Sequence, residues 1–285
     1  MELVEVREVR PAPEWYGALE QGNILFLPRL PFDLPAQDQE FLRNIQQTSR
    51  SYHKNIAYRP ESGKVTGFDA NAVSDADRLR SILEHFSRSA TGFLNKLLPR
   101  YMESGHLDYA SFRAIEEEGR DLTFKKRNDL LHIDAFPTRP TRGDLILRTF
   151  VNIHPTRDRV WLTSDPFEPL AREHAVNAGW TRMASWGSLK QLVTRRTSYD
   201  RFMLHFHDYL KRNEDYQRNC RKYRWEFPPG SAWMVFTDIV PHAVLSGQYA
   251  LEQTMIVSRQ SLLAPERAPF EILNRLRSAA RGATS

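Results

Sequence analysis

The stretch Leu131-His132-Ile133-Asp134-Ala135-Phe136-Pro137-Thr138-Arg139-Pro140 decides how the rest of this sequence is read. On an extended strand residues i and i+2 project to the same face, so His132 and Asp134 can hold one ion together. A third ligand has to come from elsewhere in the chain. His242 stands shortly after Thr237-Asp238, at the start of a strand pattern that follows the turn Pro228-Pro229-Gly230 and the apolar run 231–236. Two His and one carboxylate on one face of a metal, with open positions opposite, form the triad of the non-haem Fe(II) oxygenases. An isolated H-x-D recurs by chance. The distal His on a second strand pattern is what gives this one weight.

Working outward, residues 130–136, 144–153 and 159–163 read as short strands between Pro, Arg and Gly turns. Helical patterns follow at about 167–178 and 199–213, the latter capped by Ser198. Strand patterning returns at 231–236, 242–245 and 252–259. Upstream, Gly22 to Leu30 reads as a strand closed by Pro28, residues 51–70 as loop, and 74–98 as a long amphipathic helix capped by Ser74 or Asp75. A second helix is expected around 109–118. Helices first, then two blocks of short strands around a helical insert, point to an α+β class. A double-stranded β-helix (a cupin-like jelly roll) with supporting helices closes that many short strands. The whole chain, 1–285, is expected to form one domain. Helical support would span about 1–128 and the jelly-roll core about 129–265, with a helical insert at about 165–215.

Composition excludes several classes. Hydrophobic residues at 41% and charged residues at 26% rule out collagen-like, low-complexity and disordered chains. No run is long and apolar enough for a spanning helix, and the acidic start Met1-Glu2-Leu3-Val4-Glu5-Val6-Arg7 lacks the core of a signal peptide. The single Cys220 excludes an internal disulfide and suits a reducing compartment, so a cytoplasmic location is expected. A net charge of +5 favours an anionic partner. The basic residues are scattered without aromatic repeats, which argues against nucleic acid.

An Fe(II) oxygenase of this type takes 2-oxoglutarate, whose distal carboxylate wants a buried cation, ideally an Arg fork. Arg148, inside the apolar strand Leu145-Ile146-Leu147-Arg148-Thr149-Phe150-Val151-Asn152, is costly without an anion beside it. Arg259, after the strand that follows His242, is the alternative anchor. Asn152, on the same face as Arg148, either reaches the co-substrate or makes a strand-end hydrogen bond.

Beyond the H-x-D run, the segments Ile146-Leu147-Arg148-Thr149-Phe150-Val151-Asn152-Ile153, Arg159-Val160-Trp161, Ser198-Tyr199-Asp200-Arg201-Phe202-Met203 and Val240-Pro241-His242-Ala243-Val244-Leu245-Ser246-Gly247 carry a more specific pattern. Together they resemble the Kdo hydroxylase family over about residues 20–265. The resemblance implies an Fe(II)/2-oxoglutarate dioxygenase that uses O2 to hydroxylate C3 of the outer 3-deoxy-D-manno-oct-2-ulosonic acid (Kdo) of Kdo2-lipid A. The product is D-glycero-D-talo-oct-2-ulosonic acid within lipopolysaccharide. Carried over residue by residue, the metal ligands are His132, Asp134 and His242. Where many 2-oxoglutarate enzymes place an Arg, this chain has Gln253-Thr254, which favours Arg148 over Arg259.

Such a substrate is anionic and made at the inner face of the inner membrane, where the protein would dock peripherally by charge. Expected substrate contacts are Arg139 and Arg142 beyond Asp134, with Arg127, Lys126, Lys125, Arg59, Lys54 and His53 upstream. His205-Phe206-His207-Asp208 reads as helix, where i and i+2 diverge, so a shared metal is not expected there. The tryptophans Trp161, Trp180, Trp186, Trp225 and Trp233 read as core and rim packing. Two alternatives stay open: the same chemistry on another anionic small molecule, and a non-catalytic cupin-like metal- or sugar-binding module.

Overall fold

The computed structural model describes residues 1–45, 55–68, 73, 75–120, 122–185 and 196–282. The strands are β1 (Leu3–Glu5), β2 (Ile24–Leu27), β3 (Ile56–Arg59), β4 (Lys64–Thr66), β5 (His106–Arg113), β6 (Leu145–Asn152), β7 (Arg159–Thr163), β8 (Tyr223–Phe227), β9 (Ala232–Phe236), β10 (His242–Ser246) and β11 (Ala250–Val257). The helices are α1 (Pro13–Glu20), α2 (Ala36–Arg43), α3 (Ala76–Leu97), α4 (Pro99–Ser104), α5 (Phe167–His174), α6 (Trp180–Ser185), α7 (Ser198–Arg212), α8 (Glu214–Asn219) and α9 (Pro269–Gly282).

Eight strands form one sheet in the order β1-β2-β9-β6-β11-β5-β3-β4, and three form a second in the order β10-β7-β8. The two sheets pack through aromatic side chains. Phe150 on β6 and Trp233 on β9 meet Trp161 on β7 at centroid distances of 4.8 and 5.6 Å, and Phe227 on β8 stacks on Trp233 at 4.0 Å. This is the jelly-roll α+β architecture. Strands β6, β9 and β11 are buried along nearly their whole length, because helices cover the outer face of the large sheet. Ser87 of α3 hydrogen-bonds Gln253 at 2.7 Å, and Tyr101 of α4 packs on Phe236. Strands covered on both faces read as continuous apolar runs rather than alternations.

Several local expectations change. Residues 109–118, expected as helix, begin inside β5, whose last four residues, 110–113, are all buried and which β11 and β3 pair on either side. Residues 51–70, expected as loop, contain the β3–β4 hairpin, turned by Gly63 at φ +64°. The first 128 residues thus give five strands to the large sheet as well as helices. The H-x-D stretch is extended but not a strand, and its one bridge is His132 to His242. Helix α7 is capped by Thr197, not Ser198, through a capping box with Asp200; α3 is capped by Asp75. Among the described residues no helix is long and apolar enough to cross a membrane.

Candidate active site

The bridge places two ligands opposite each other. His132 N donates to His242 O at 3.1 Å and His242 N returns the bond at 2.9 Å, while Asp134 N donates to Thr237 O at 2.8 Å. Each ligand imidazole has its Nδ1 against its own backbone, His132 on Leu130 O at 2.7 Å and His242 on Val240 O at 3.0 Å. A proton held there leaves Nε2 free to face the ion. The ligand atoms of His132, Asp134 and His242 lie within 4.8 Å of one another. Burial, reinforced by His242, holds His132 well below the ordinary imidazole range, and burial lowers His242 as well. Burial alone would raise the Asp134 carboxyl, but Arg148 and the two imidazoles hold it far below the usual carboxylate range. Neutral imidazoles and an ionised carboxylate are the forms a metal takes up. Asp134 Oδ2 is buried and accepts no hydrogen bond of good geometry, although Arg148 Nε stands 3.1 Å away, so it keeps lone-pair capacity for a metal ion. The donor set fits Fe(II).

Beside the triad runs a chain of buried charges. Arg148 Nε stands 3.1 Å from Asp134 Oδ2 and its Nη1 3.0 Å from Glu252 Oε1. Glu252 in turn receives Arg113 through Nε at 3.1 Å and Nη2 at 2.5 Å, and Thr254 Oγ1 at 2.9 Å. Burial pushes the Glu252 carboxyl up, yet Arg148 and Arg113 bring it down to about 2. On β7, Arg159 shares a face with Trp161, whose ring stacks on His242 at 5.2 Å. Arg159 is 1% exposed; its Nη1 donates to Gly247 O at 2.9 Å, while Nε and Nη2 have no hydrogen-bond partner. Burial, with Arg113 nearby, brings its pKa down to about 10. One pleat, about 6.6 Å, separates it from the residue stacked on the metal ligand.

The sequence pattern points to Arg148 but not to Arg113, Arg159 and Glu252 as site residues. The same rule, that an Arg within a buried strand needs an anion, would have found the other two arginines. Asn152 is consumed structurally: its Nδ2 donates to Arg157 O and Phe227 O, and its Oδ1 accepts from His154 N. Arg259 lies past β11, bonded to Arg142 O, over the Phe270 ring and 3.8 Å from Glu271, not among the buried charges. Arg139 pairs with Asp108 and lies between the rings of Tyr109 and Phe136. Arg142 is exposed, as is Lys126, and Arg127 makes a surface pair with Asp129. His53, Lys54 and Trp186 lie outside the described residues. His207, which is not expected to bind metal, donates towards Ile133 O at 2.7 Å and packs edge-on against His132 at 4.8 Å, so it buttresses a ligand without being one. A pocket next to Asp134 is lined by Phe136, Ile146, Tyr199, Met203 and Asp238. Asp238 accepts from Ile146 N at 3.1 Å, its Oδ2 is unpartnered, and burial pushes it up to about 7.

A jelly roll that holds two His and one Asp between its sheets, beside buried arginines, is the architecture of the Fe(II)/2-oxoglutarate dioxygenases, and the chain is an enzyme of that class. It belongs, more narrowly, to the Kdo hydroxylase family: the model of 3-deoxy-D-manno-oct-2-ulosonic acid (Kdo) hydroxylase matches residues 4–280. Solved structures of the Kdo hydroxylase KdoO, described as a non-haem Fe(II) alphaketoglutarate-dependent dioxygenase, are similar throughout. The apo form and the complex with alphaketoglutarate and Fe(III) each give a TM-score of 0.82 at 31% identity, and the cobalt(II) complex gives 0.83 at 32%. Each comparison covers 97% of this chain and 96% of the KdoO chain. No match was found among curated proteins.

Proposed function

We propose that the chain hydroxylates C3 of the outer Kdo of Kdo2-lipid A, converting substrate, 2-oxoglutarate and O2 into the C3 alcohol, succinate and carbon dioxide. The observation that carries this reading is the His132–Asp134–His242 set beside the buried, half-satisfied fork of Arg159 in a chain of this family. When bound, Fe(II) supplies the redox chemistry that couples decarboxylation to hydroxylation. His132, Asp134 and His242 hold the metal, with His207 and Trp161 fixing the two imidazole rings. Arg159 receives the distal carboxylate of the co-substrate, because its Nε and Nη2 form a bidentate donor pair that makes no hydrogen bond, with Glu117 no nearer than 4.0 Å. Arg148, already shared between Asp134 and Glu252, orients the ligand carboxylate instead. Phe227, Trp233 and Phe150 keep water from the interior. The protein acts as one domain docked peripherally at the inner face of the inner membrane, held by charge.

The test is incubation with Fe(II), 2-oxoglutarate, O2 and Kdo2-lipid A, reading succinate and the mass of the glycolipid together. The reading requires one added oxygen atom in the outer sugar per succinate formed. Succinate formation stimulated by a different anionic acceptor, with Kdo2-lipid A left unchanged, would replace the substrate but keep the chemistry.

A further inference from the structure

The inner face of the large sheet does not end where the three-stranded sheet ends. In register, Glu252 on β11 pairs with Ser111 on β5, Ser111 with Ala57 on β3, and Ala57 with Thr66 on β4; Arg59 pairs with Lys64. Residues two apart share a face, so Arg59, Lys64 and Thr66 stand on the same face as Glu252. The opposite face is covered, with Ile56 and Tyr58 buried. On the inner face Arg59, Lys64 and Thr66 are exposed. The hairpin therefore prolongs the active-site floor into an open shelf.

That shelf is wired to the metal site by alternating cations and rings. The Arg59 guanidinium lies 5.1 Å from the centroid of Tyr109, and Arg139 lies 4.0 Å from Tyr109 and 4.2 Å from Phe136. Arg148 lies 5.5 Å from Phe136. A ring orients a guanidinium without neutralising it and leaves N–H groups for an anion. Arg139 already has Asp108. Arg59 and Lys64 have no acidic partner among the described residues.

We propose that this shelf docks the carboxylate of a second acidic sugar in the substrate, the one beyond the sugar at the metal, on Arg59 and Lys64. The assignment rests on the acidic-saccharide reading above. It makes the β3–β4 hairpin a specificity element: a single acidic sugar reaches the metal without it, and a disaccharide of acidic sugars gains a second charged anchor.

The test is the double variant Arg59→Gln/Lys64→Gln, compared with the equal charge loss Arg80→Gln/Arg88→Gln on the solvent side of α3. Both are assayed on Kdo2-lipid A and on a phosphate-free Kdo disaccharide glycoside. Equilibrium binding of Co(II) and 2-oxoglutarate is measured alongside. Removing one charge-assisted hydrogen bond at each position predicts a KM rise on the order of tenfold or more on both acceptors, with kcat and co-substrate binding unchanged. The salt dependence of KM should flatten as well. An unchanged KM overturns the shelf, as does an equal rise in the α3 variant. A rise confined to the phosphate-bearing acceptor also overturns it, since the anion held would then be a lipid phosphate. If the wild type turns over neither acceptor, the functional reading fails and the shelf with it; turnover with unchanged KM in the hairpin variant removes the shelf alone.

Discussion

Replacing Glu252 with Gln removes the one anion that two buried arginines share. Its carboxyl sits at about 2 against an ordinary 4.5, which by linkage corresponds to about 3 kcal/mol of folding stability at neutral pH. Breaking a buried ion pair by deleting one partner costs about 3–5 kcal/mol, so the two routes agree. With an unfolding entropy near 2 cal/mol/K per residue over 285 residues, a loss of about 3–5 kcal/mol lowers Tm by about 5–9 °C. The sign with pH follows from the depressed carboxyl. Its contribution is complete above about 4.5 and disappears as the pH falls towards 2, so the gap between variant and wild type should narrow over that window. The assay is thermal unfolding of metal-free protein by circular dichroism, with and without succinate. A dicarboxylate can supply the anion that the variant lacks, so succinate should raise Tm more in Glu252→Gln than in wild type. A loss below about 1 kcal/mol at neutral pH, or an equal succinate shift in both proteins, would refute the reasoning.

Gly247 has φ +129°, and a Cβ there would lie 2.7 Å from Arg159 Cγ and 3.1 Å from its Cα. Gly247→Ala should therefore cost about 1–3 kcal/mol and weaken 2-oxoglutarate binding in calorimetric titration with Co(II) affinity kept; equal losses of both would count against Arg159 as the anchor. Asp238, raised to about 7 by burial, keeps its proton in the folded state between 3.8 and about 7 and is forced to ionise above that. The unfolded chain meanwhile ionises above 3.8, so stability is lost as the pH rises from about 4 to about 7 and the loss is complete above that. Asp238→Asn should match wild type below about pH 4 and exceed it by as much as a few kcal/mol from about pH 7 upward, measured by urea unfolding. A difference independent of pH would sink this account.

The triad was legible because its geometry is local. His132 and Asp134 need only an extended backbone, which the bridge to His242 supplies without a full strand. Strands β6, β7, β9, β10 and β11 announced themselves through apolar runs between turns. Segment β5 misled because His106–Arg113 carries polar residues on its inner face, and Tyr109, Ser111 and Arg113 there line the site rather than a solvent surface. Ala110 and Phe112 alternate with Ser111 and Arg113, and the register against β11 shifts between Leu107 and Ala110. Pairing with β3 and β11, not local propensity, makes that segment a strand. The anchor question was obscured for a related reason. Position 252 carries an acid where a cation was sought nearby, and a single sequence does not reveal that this acid gathers Arg113 and Arg148 from strands far apart in the chain.

The sum of those charges bears on how the pocket is loaded. From the triad towards Gly247 the interior carries Asp134, Glu252 and Glu117 against Arg148, Arg113 and Arg159, with Arg159 Nη2 4.0 Å from Glu117. Three acids balance three bases. A divalent cation alone would leave two positive charges uncompensated in a region of low dielectric, and a dicarboxylate alone two negative ones. Together they enter with no change in net charge. Metal and co-substrate should for that reason bind with positive coupling, each tightening the other by the same factor. Arg159→Leu, which leaves one acid in excess, should tighten the cation and weaken the dicarboxylate without changing the charge part of that coupling factor, which depends only on the product of the two ligand charges. Titrating 2-oxoglutarate into protein with and without Co(II) measures that factor directly, and equal affinities in the two titrations would show that the balance of buried charge does not govern loading.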